Sequence, residues 1–357
     1  MNKKQIHHVI GVMSGSSLDG LDLAFCSFHQ ENRVWHYNIE HSGTLPYDDQ
    51  MARQLGKLND FKAEAFIDID VQLGRFIGDA INRFIKENNL INIDYIASHG
   101  HTAFHNPSKG YSTQIGNGAI IAASTNISAI TDFRSLDVAL GGQGAPLVPI
   151  GDAYLFPEYD YCLNLGGYSN ISYNKNSERL AFDICPVNIA INYLAGQAGQ
   201  KMDKDGEMAA KGSVDKDLLN NLNNLDFYHT PPPKSLGDEW LNTRFLEVLK
   251  NKSHVSLYDQ LRTVYEHIAI QINKASGDIS DGSMLVTGGG AHNQFLMDRI
   301  RKMNNNRITI PENRLVEFKE ALIFAFMGVL RSKGMTNCLA SVTGASRNSS
   351  GGVVYAV

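Results

Sequence analysis

Apolar and polar positions change period several times along this 357-residue chain. The runs HHVIGVM, DLAFCSF and VWHYNIEHS, starting at His7, Asp22 and Val34, read as three successive strands, broken by glycine- and serine-rich or charged turns. A helical period then takes over: in AEAFIDIDVQLGRFIGDAINRFIKEN, residues Phe66, Val71, Leu73, Phe76, Ile77, Ile81, Phe84 and Ile85 recur at helical spacing. IDYIASHG, ending at Gly100, predicts a buried strand with a glycine turn, and NISAITDF repeats the pattern. YDYCLNLGGYSNISYN gives strand, glycine turn and strand again, a distant echo of the opening. ERLAFDIC, a helix near NIAINYLAGQ, a polar stretch holding Pro231, Pro232 and Pro233, and a long helix from about Leu257 to Ala275 follow. SMLVTGGGAHNQFLMDRI then runs from strand through glycines directly into a helix. This alternation is an α/β signature.

Length and charge narrow the picture. Single cores tend to split beyond roughly 250 to 300 residues, so two domains are expected. A formal charge of −5 supplies no basic face for a nucleic acid or an anionic membrane, and a small-molecule partner is expected. Cys26, Cys162, Cys185 and Cys338 form no CxxC pair, which fits reduced thiols in the cytoplasm. MNKKQ begins like a signal peptide, but Gly11, Ser14 and Gly15 break the apolar stretch behind it. No run approaches the ~20 apolar residues of a membrane span.

Three glycine turns after apolar strands carry the candidate chemistry. Backbone N–H groups that converge on one concavity hold phosphate, and glycine lets the backbone come close enough. GxxxxGK[ST] is absent, and so is GxGxxG after the first strand, which sets aside a P-loop and weakens a dinucleotide fold. Two strand–turn–strand clamps and a strand-to-helix turn remain. SGSSLDG offers amides and hydroxyls from Gly15, Ser16, Ser17, Leu18, Gly20 and Leu21, with Asp19 or Asp22 orienting the water shell of Mg²⁺. Gly166 and Gly167 form the opposing clamp, and Gly288, Gly289 and Gly290 let a nucleoside lie against bare backbone. Any one of these turns, taken alone, is served equally well by a tight hairpin; three in one α/β chain favour a nucleotide.

The same residues carry a family resemblance. GVMSGSSLDGLDLA, SHGHTAFHNP, QIGNGAII, TDFRSLDVALGGQGAPLVP, NLGGYSNIS, FDICPVN, TGGGAHN and KEALIFAFMG are similar, in order, to the blocks of the anhydro-N-acetylmuramic acid kinase family. The resemblance spans nearly the whole chain. It implies the actin-like fold of sugar kinases and heat-shock chaperone ATPases: two ribonuclease-H-like domains, with mixed sheets flanked by helices, and a cleft between them that takes ATP. The lobes are expected at residues 1–130, with 338–357 packing back onto the first, and 131–337. The implied reaction is ATP- and Mg²⁺-dependent phosphorylation of 1,6-anhydro-N-acetylmuramic acid, with water opening the anhydro ring, to N-acetylmuramic acid 6-phosphate during cell-wall recycling. The family's usual dimer is implied only by the resemblance.

Within that frame Asp183 matches the catalytic aspartate, which takes a proton from the attacking water; the bland alternative is a carboxylate capping the helix near Asn188. Arg134, between Asp132 and Asp137, could clamp the lactyl carboxylate, although that segment alone also reads as a surface ion-pair cluster. His99, Gln114 and Glu320 fall on blocks bordering the sugar pocket, and Asp19 is the metal candidate. His99, His101 and His105 match no common closed zinc site and read as hydrogen-bonding groups. The chain also departs from the family pattern. DICPVN replaces two usual glycines with Cys185 and Val187, which is expected to bring bulk beside the base. His101, Leu236, Asp238 and Asn192 depart as well. These changes leave open an actin-fold ATPase without a sugar site, or a kinase for a related amino sugar.

Overall fold

The computed structural model describes residues 5–15, 18–277, 279 and 281–357. The first strands are β1 (Ile6–Ser14), β2 (Gly20–Glu31), β3 (Val34–Pro46) and β4 (Tyr95–Ser98). A two-stranded ribbon, β5 (His101–Asn106) and β6 (Tyr111–Ile115), comes next, and then β7 (Ala129–Thr131). A second series follows: β8 (Tyr161–Leu165), β9 (Tyr168–Lys175), β10 (Glu178–Pro186), β11 (Ser283–Thr287) and β12 (Arg307–Thr309). The last strand, β13 (Val353–Tyr355), returns to pair with β7.

The strand order repeats. In the first sheet it is β13-β7-β4-β1-β2-β3, and in the second β10-β9-β8-β11-β12. Each sheet begins with an antiparallel meander (β1–β2–β3; β8–β9–β10). Each then adds two strands parallel to the first (β4 and β7; β11 and β12). This duplicated mixed sheet flanked by helices is the α/β architecture expected from the sequence. The chain divides into one compact unit of residues 1–155 with 318–357 and another of 156–317.

That division differs from the lobes expected at 1–130 and 131–337. Residues 131–155 stay with the first unit because Thr131 closes β7, Phe133 and Val138 are buried there, and the Gln143 amide donates to the Thr343 carbonyl. The helix Asn313–Ser332 carries the chain back at Phe318, where its backbone departs from helical angles.

Each unit has its own core. In the first, the helix Ala63–Glu87 buries Ile69, Leu73, Ile77, Ala80, Ile81 and Phe84, one stripe at intervals of three and four residues. Val71 stays half-buried instead, and Phe66, Phe76 and Ile85 flank the core. Gly78 in mid-helix lets the neighbouring helix come close: a Cβ there would meet the Ser124 side chain. In the second unit Tyr161, Leu163, Ile184, Leu194, Tyr265 and Ile268 lead a core packed between sheet and helices. All four cysteines are buried, and none forms a disulfide.

Candidate active site

In the second unit the proposed base sits where the strand pattern places it. Asp183 lies near the end of β10, opposite Asn170 of β9, with a bulge directly after it. Its backbone N–H donates to the Lys234 carbonyl, and its carboxylate accepts the Leu236 N–H at 2.8 Å. The carboxylate therefore faces the 234–238 loop rather than capping the helix Asn188–Gln197, whose first residue follows a position with no side-chain cap. Burial pushes the Asp183 carboxyl up to about 6, and the Leu236 N–H opposes that shift. A carboxylate poised near neutrality can take a proton in the reaction and release it afterwards. The loop is tied down on both sides: Lys234 Nζ donates to the Phe227 carbonyl at 2.9 Å, and the Tyr168 hydroxyl donates to Asp238 at 3.0 Å.

The two glycine turns of this unit meet at Asn188. Its backbone N–H donates to the Gly166 carbonyl and its Nδ2 to the Leu165 carbonyl at 3.1 Å. Gly290 lies against the same side chain, with its hypothetical Cβ 3.4 Å from the Asn188 Oδ1. Gly288 and Gly290 answer to packing: Gly288 has φ +83°, and a Cβ on either would collide with Leu165. Gly167 and Gly289 differ. A Cβ on either would meet nothing closer than 3.8 Å, and neither has a positive φ. The chain's own packing does not demand glycine at these two positions, whereas a closely approaching phosphate or ribose would.

In the first unit the candidate sugar groups form one network. Arg134 Nε donates to His99 Nε2 at 3.0 Å, and one terminal nitrogen donates to the Gly144 carbonyl at 2.6 Å. His99 Nε2 is thus an acceptor, so its Nδ1 carries the proton and donates to the Gly100 carbonyl at 2.9 Å. Burial and the adjacent guanidinium hold His99 neutral, well below the ordinary imidazole range. Burial also lowers Arg134 to about 10, with Glu320 the strongest opposing charge, so Arg134 stays cationic at neutral pH. Since Nε is committed to His99, a carboxylate would meet the terminal amino groups of Arg134 rather than its side edge. Asp137 is no surface ion: it is buried and accepts the Gly144 N–H and the Thr343 hydroxyl, which fixes the carbonyl that Arg134 grips.

Gln114 points its Nε2 to the Ser112 hydroxyl at 2.9 Å, while its Oε1 is buried without a hydrogen-bond partner. It lines a cavity of about 220 Å³ together with His99, Gly100, Asp132 and Ser135. A buried acceptor without a donor is costly, and a ligand hydroxyl or amide would satisfy it. Glu320 is solvent-facing, yet surrounding protein raises its carboxyl; Arg134 works against that rise and Asp22 adds to it.

The residues of the opening turn divide between packing and exposed positions. Ser16 and Ser17 lie outside the described residues. The Leu21 side chain is fully buried in the core. Gly20 is required because a Cβ there would strike the Leu45 carbonyl, and Gly11 because one would strike the Ala321 carbonyl. Gly15, Leu18 and Asp19 remain at the turn, with Leu18 in a left-handed conformation and Asp19 exposed. Asp22 accepts the Thr44 hydroxyl at 2.6 Å. Asp19 and Asp22 both act electrostatically on the Tyr47 hydroxyl, and Asp22 on Glu320, so this end of the unit carries negative charge.

The expected bulk beside the base does not arise. Cys185 and Val187 are completely buried in the core of the second unit, and Cys185 exchanges hydrogen bonds with the Ser169 hydroxyl. The bulge after Asp183 breaks the alternation that would put residues 183 and 185 on one face, and Cys185 turns inward. The three histidines each engage an oxygen partner, His101 the Ser14 hydroxyl and His105 the Ser112 hydroxyl, both at 2.9 Å. His101 is buried.

A family model described as Anhydro-N-acetylmuramic acid kinase matches residues 7–357. The chain belongs to the anhydro-N-acetylmuramic acid kinase family. It is a kinase of the sugar-phosphorylating class. The family member from Aliivibrio fischeri is 36% identical over 368 residues, covering 97% of this chain and 98% of that protein. Those from Sulfurimonas denitrificans and Vibrio vulnificus are 33% and 34% identical and cover 97% and 99% of this chain and 98% and 99% of the relatives. Among the described residues no helix is long and apolar enough to cross a membrane.

Sequence reasoning did not single out Asn188 as the link between two glycine turns, nor Tyr168 as the anchor of the loop over the base. Asn188 closes the DICPVN block and Tyr168 follows Gly167 directly, so proximity to marked residues was the available signal.

Proposed function

We propose that this member of the anhydro-N-acetylmuramic acid kinase family converts 1,6-anhydro-N-acetylmuramic acid, ATP and water into N-acetylmuramic acid 6-phosphate and ADP. Asp183 takes a proton from water as the water oxygen bonds to the anomeric carbon. The bond from that carbon to O6 breaks, O6 attacks the γ-phosphorus of ATP, and ADP departs. Arg134 receives the lactyl carboxylate on its terminal amino groups, Gln114 Oε1 accepts from a sugar hydroxyl or amide, and His99 holds Arg134 in place. Gly166 and Gly167 admit phosphate, Gly288 to Gly290 the nucleoside, and the turn from Gly15 to Asp22 offers further backbone amides. Bound Mg²⁺ would neutralise charge on the phosphates, with Asp19 and Asp22 ordering its water shell and Glu320 nearby.

The observation that carries the reading is Asp183: a carboxylate pushed up to about 6 by burial and oriented by one backbone N–H, in the same unit as two glycines that the protein's own packing does not require. The ATPase alternative rested on bulk from Cys185 and Val187, and both side chains lie in the core instead. Mass spectrometry of the products is the test, run with the anhydro sugar and a panel of related amino sugars. The proposal expects one ring-opened sugar phosphate per ADP from the anhydro sugar. Inorganic phosphate alone, or product only from another amino sugar, contradicts it.

A further inference from the structure

Away from these groups, the far end of the β2–β3 hairpin gathers His29, Glu31 and His36, whose ligand atoms all lie within 4.8 Å of one another. The arrangement follows from the register. Asn32 and Arg33 form a two-residue turn with φ +50° and +68°, the left-handed pair that matches the twist of a hairpin. It pairs Glu31 with Val34 and His29 with His36. Alternation then fixes the faces: Phe28 and Trp35 point inward, buried against Phe326, while Glu31 and His36 are exposed and His29 is half-buried. The two imidazoles stack at 4.9 Å with their planes 13° apart.

We propose that this hairpin face binds a borderline divalent transition-metal ion such as Zn²⁺, through one nitrogen of each imidazole and a Glu31 oxygen, with water in the fourth position. Two histidines and one carboxylate are a ligand set that zinc accepts, and imidazole selects it over Mg²⁺ and Ca²⁺. Ligands at about 2.1 Å around a tetrahedral ion stand roughly 3.4 Å apart. The ligand atoms, now within 4.8 Å of one another, would close to that value by side-chain rotation on a backbone that the buried Phe28 and Trp35 hold. The ion would staple the exposed edge strand β3 to β2. Nothing in this site depends on the kinase reading.

Calorimetric titration of the full chain with Zn²⁺ in excess Mg²⁺ tests it, with hydrogen exchange of the hairpin as a second readout. The proposal expects one equivalent bound per chain and slowed exchange in Val34–Pro46. His36→Ala and Glu31→Gln should each weaken binding at least about tenfold, the loss that even an outer partner of a metal ligand costs. Both side chains point to solvent, so circular dichroism of the variants should match wild type. Absence of binding overturns the proposal, and so does Zn²⁺ affinity unchanged in His36→Ala, which would place the ion on other histidines.

Discussion

Asp183 pays for its chemistry in stability. The folded chain binds its proton more tightly than the unfolded chain, whose carboxyl titrates near 3.8, so this group's contribution to stability falls as pH rises from about 4 to 6. Asp183→Asn is therefore expected to be more stable than wild type above pH 6, by on the order of 1–3 kcal/mol, and to melt at a higher temperature. The same variant should lose about 10²- to 10⁴-fold in kcat. Wild-type kcat/KM should rise with pH through about 6 as the base ionises; thermal melts and a pH–rate profile check both expectations. At Arg134 the terminal amino groups are the ones proposed for substrate. Arg134→Lys should raise KM for the sugar by roughly ten- to a hundredfold, the worth of a charge-assisted hydrogen bond, with KM for ATP unchanged. Steady-state kinetics in both substrates decides it.

At the scale of elements, two glycines with similar sequence settings should behave in opposite ways. Gly11→Ala drives a Cβ into the Ala321 carbonyl and should destabilise the fold by about 1–3 kcal/mol. Gly167→Ala has room for its Cβ and should leave the melting temperature unchanged while raising KM for ATP. The loop from Lys234 to Asp238 gives a third contrast. Tyr168→Phe removes the anchor on Asp238, loosening the Leu236 N–H that lowers the Asp183 carboxyl, so the acid limb of the rate profile should move to higher pH. The sequence could not distinguish these glycines. GVMSGSSLDG looks uniformly poor in side chains, but Gly11 and Gly20 meet carbonyls of Ala321 and Leu45, contacts far away in the chain that no local pattern records. For the same reason Cys185 and Val187 read as intruders: their direction depends on a bulge after Asp183 that spacing alone does not show.

At the scale of the whole chain, strand periods and glycine turns made the α/β alternation legible, down to the helix Leu257–Ala275, while the pair of mixed sheets followed from the family resemblance. The boundary between the units was not, because nothing local in TDFRSLDVALGGQGAPLVP shows that its Asp137 and Arg134 bond within the first unit. The residues of the site were legible chiefly through the family resemblance; the residue pattern alone read Arg134 equally well as part of a surface ion-pair cluster and left a helix cap as the alternative for Asp183. Binding to the folded chain should stabilise it by about 2.7 kcal/mol at a hundredfold excess of a non-hydrolysable ATP analogue over its Kd. At that same analogue concentration, Gly167→Ala should show a smaller thermal shift.

The most direct measurement is the rate of ADP release with and without 1,6-anhydro-N-acetylmuramic acid, in wild type and in Asp183→Asn. ADP release that depends on the sugar and collapses in the variant is the predicted result. Release that proceeds equally without the sugar, or that survives Asp183→Asn, would contradict the assignment of this carboxylate as the base of a sugar kinase.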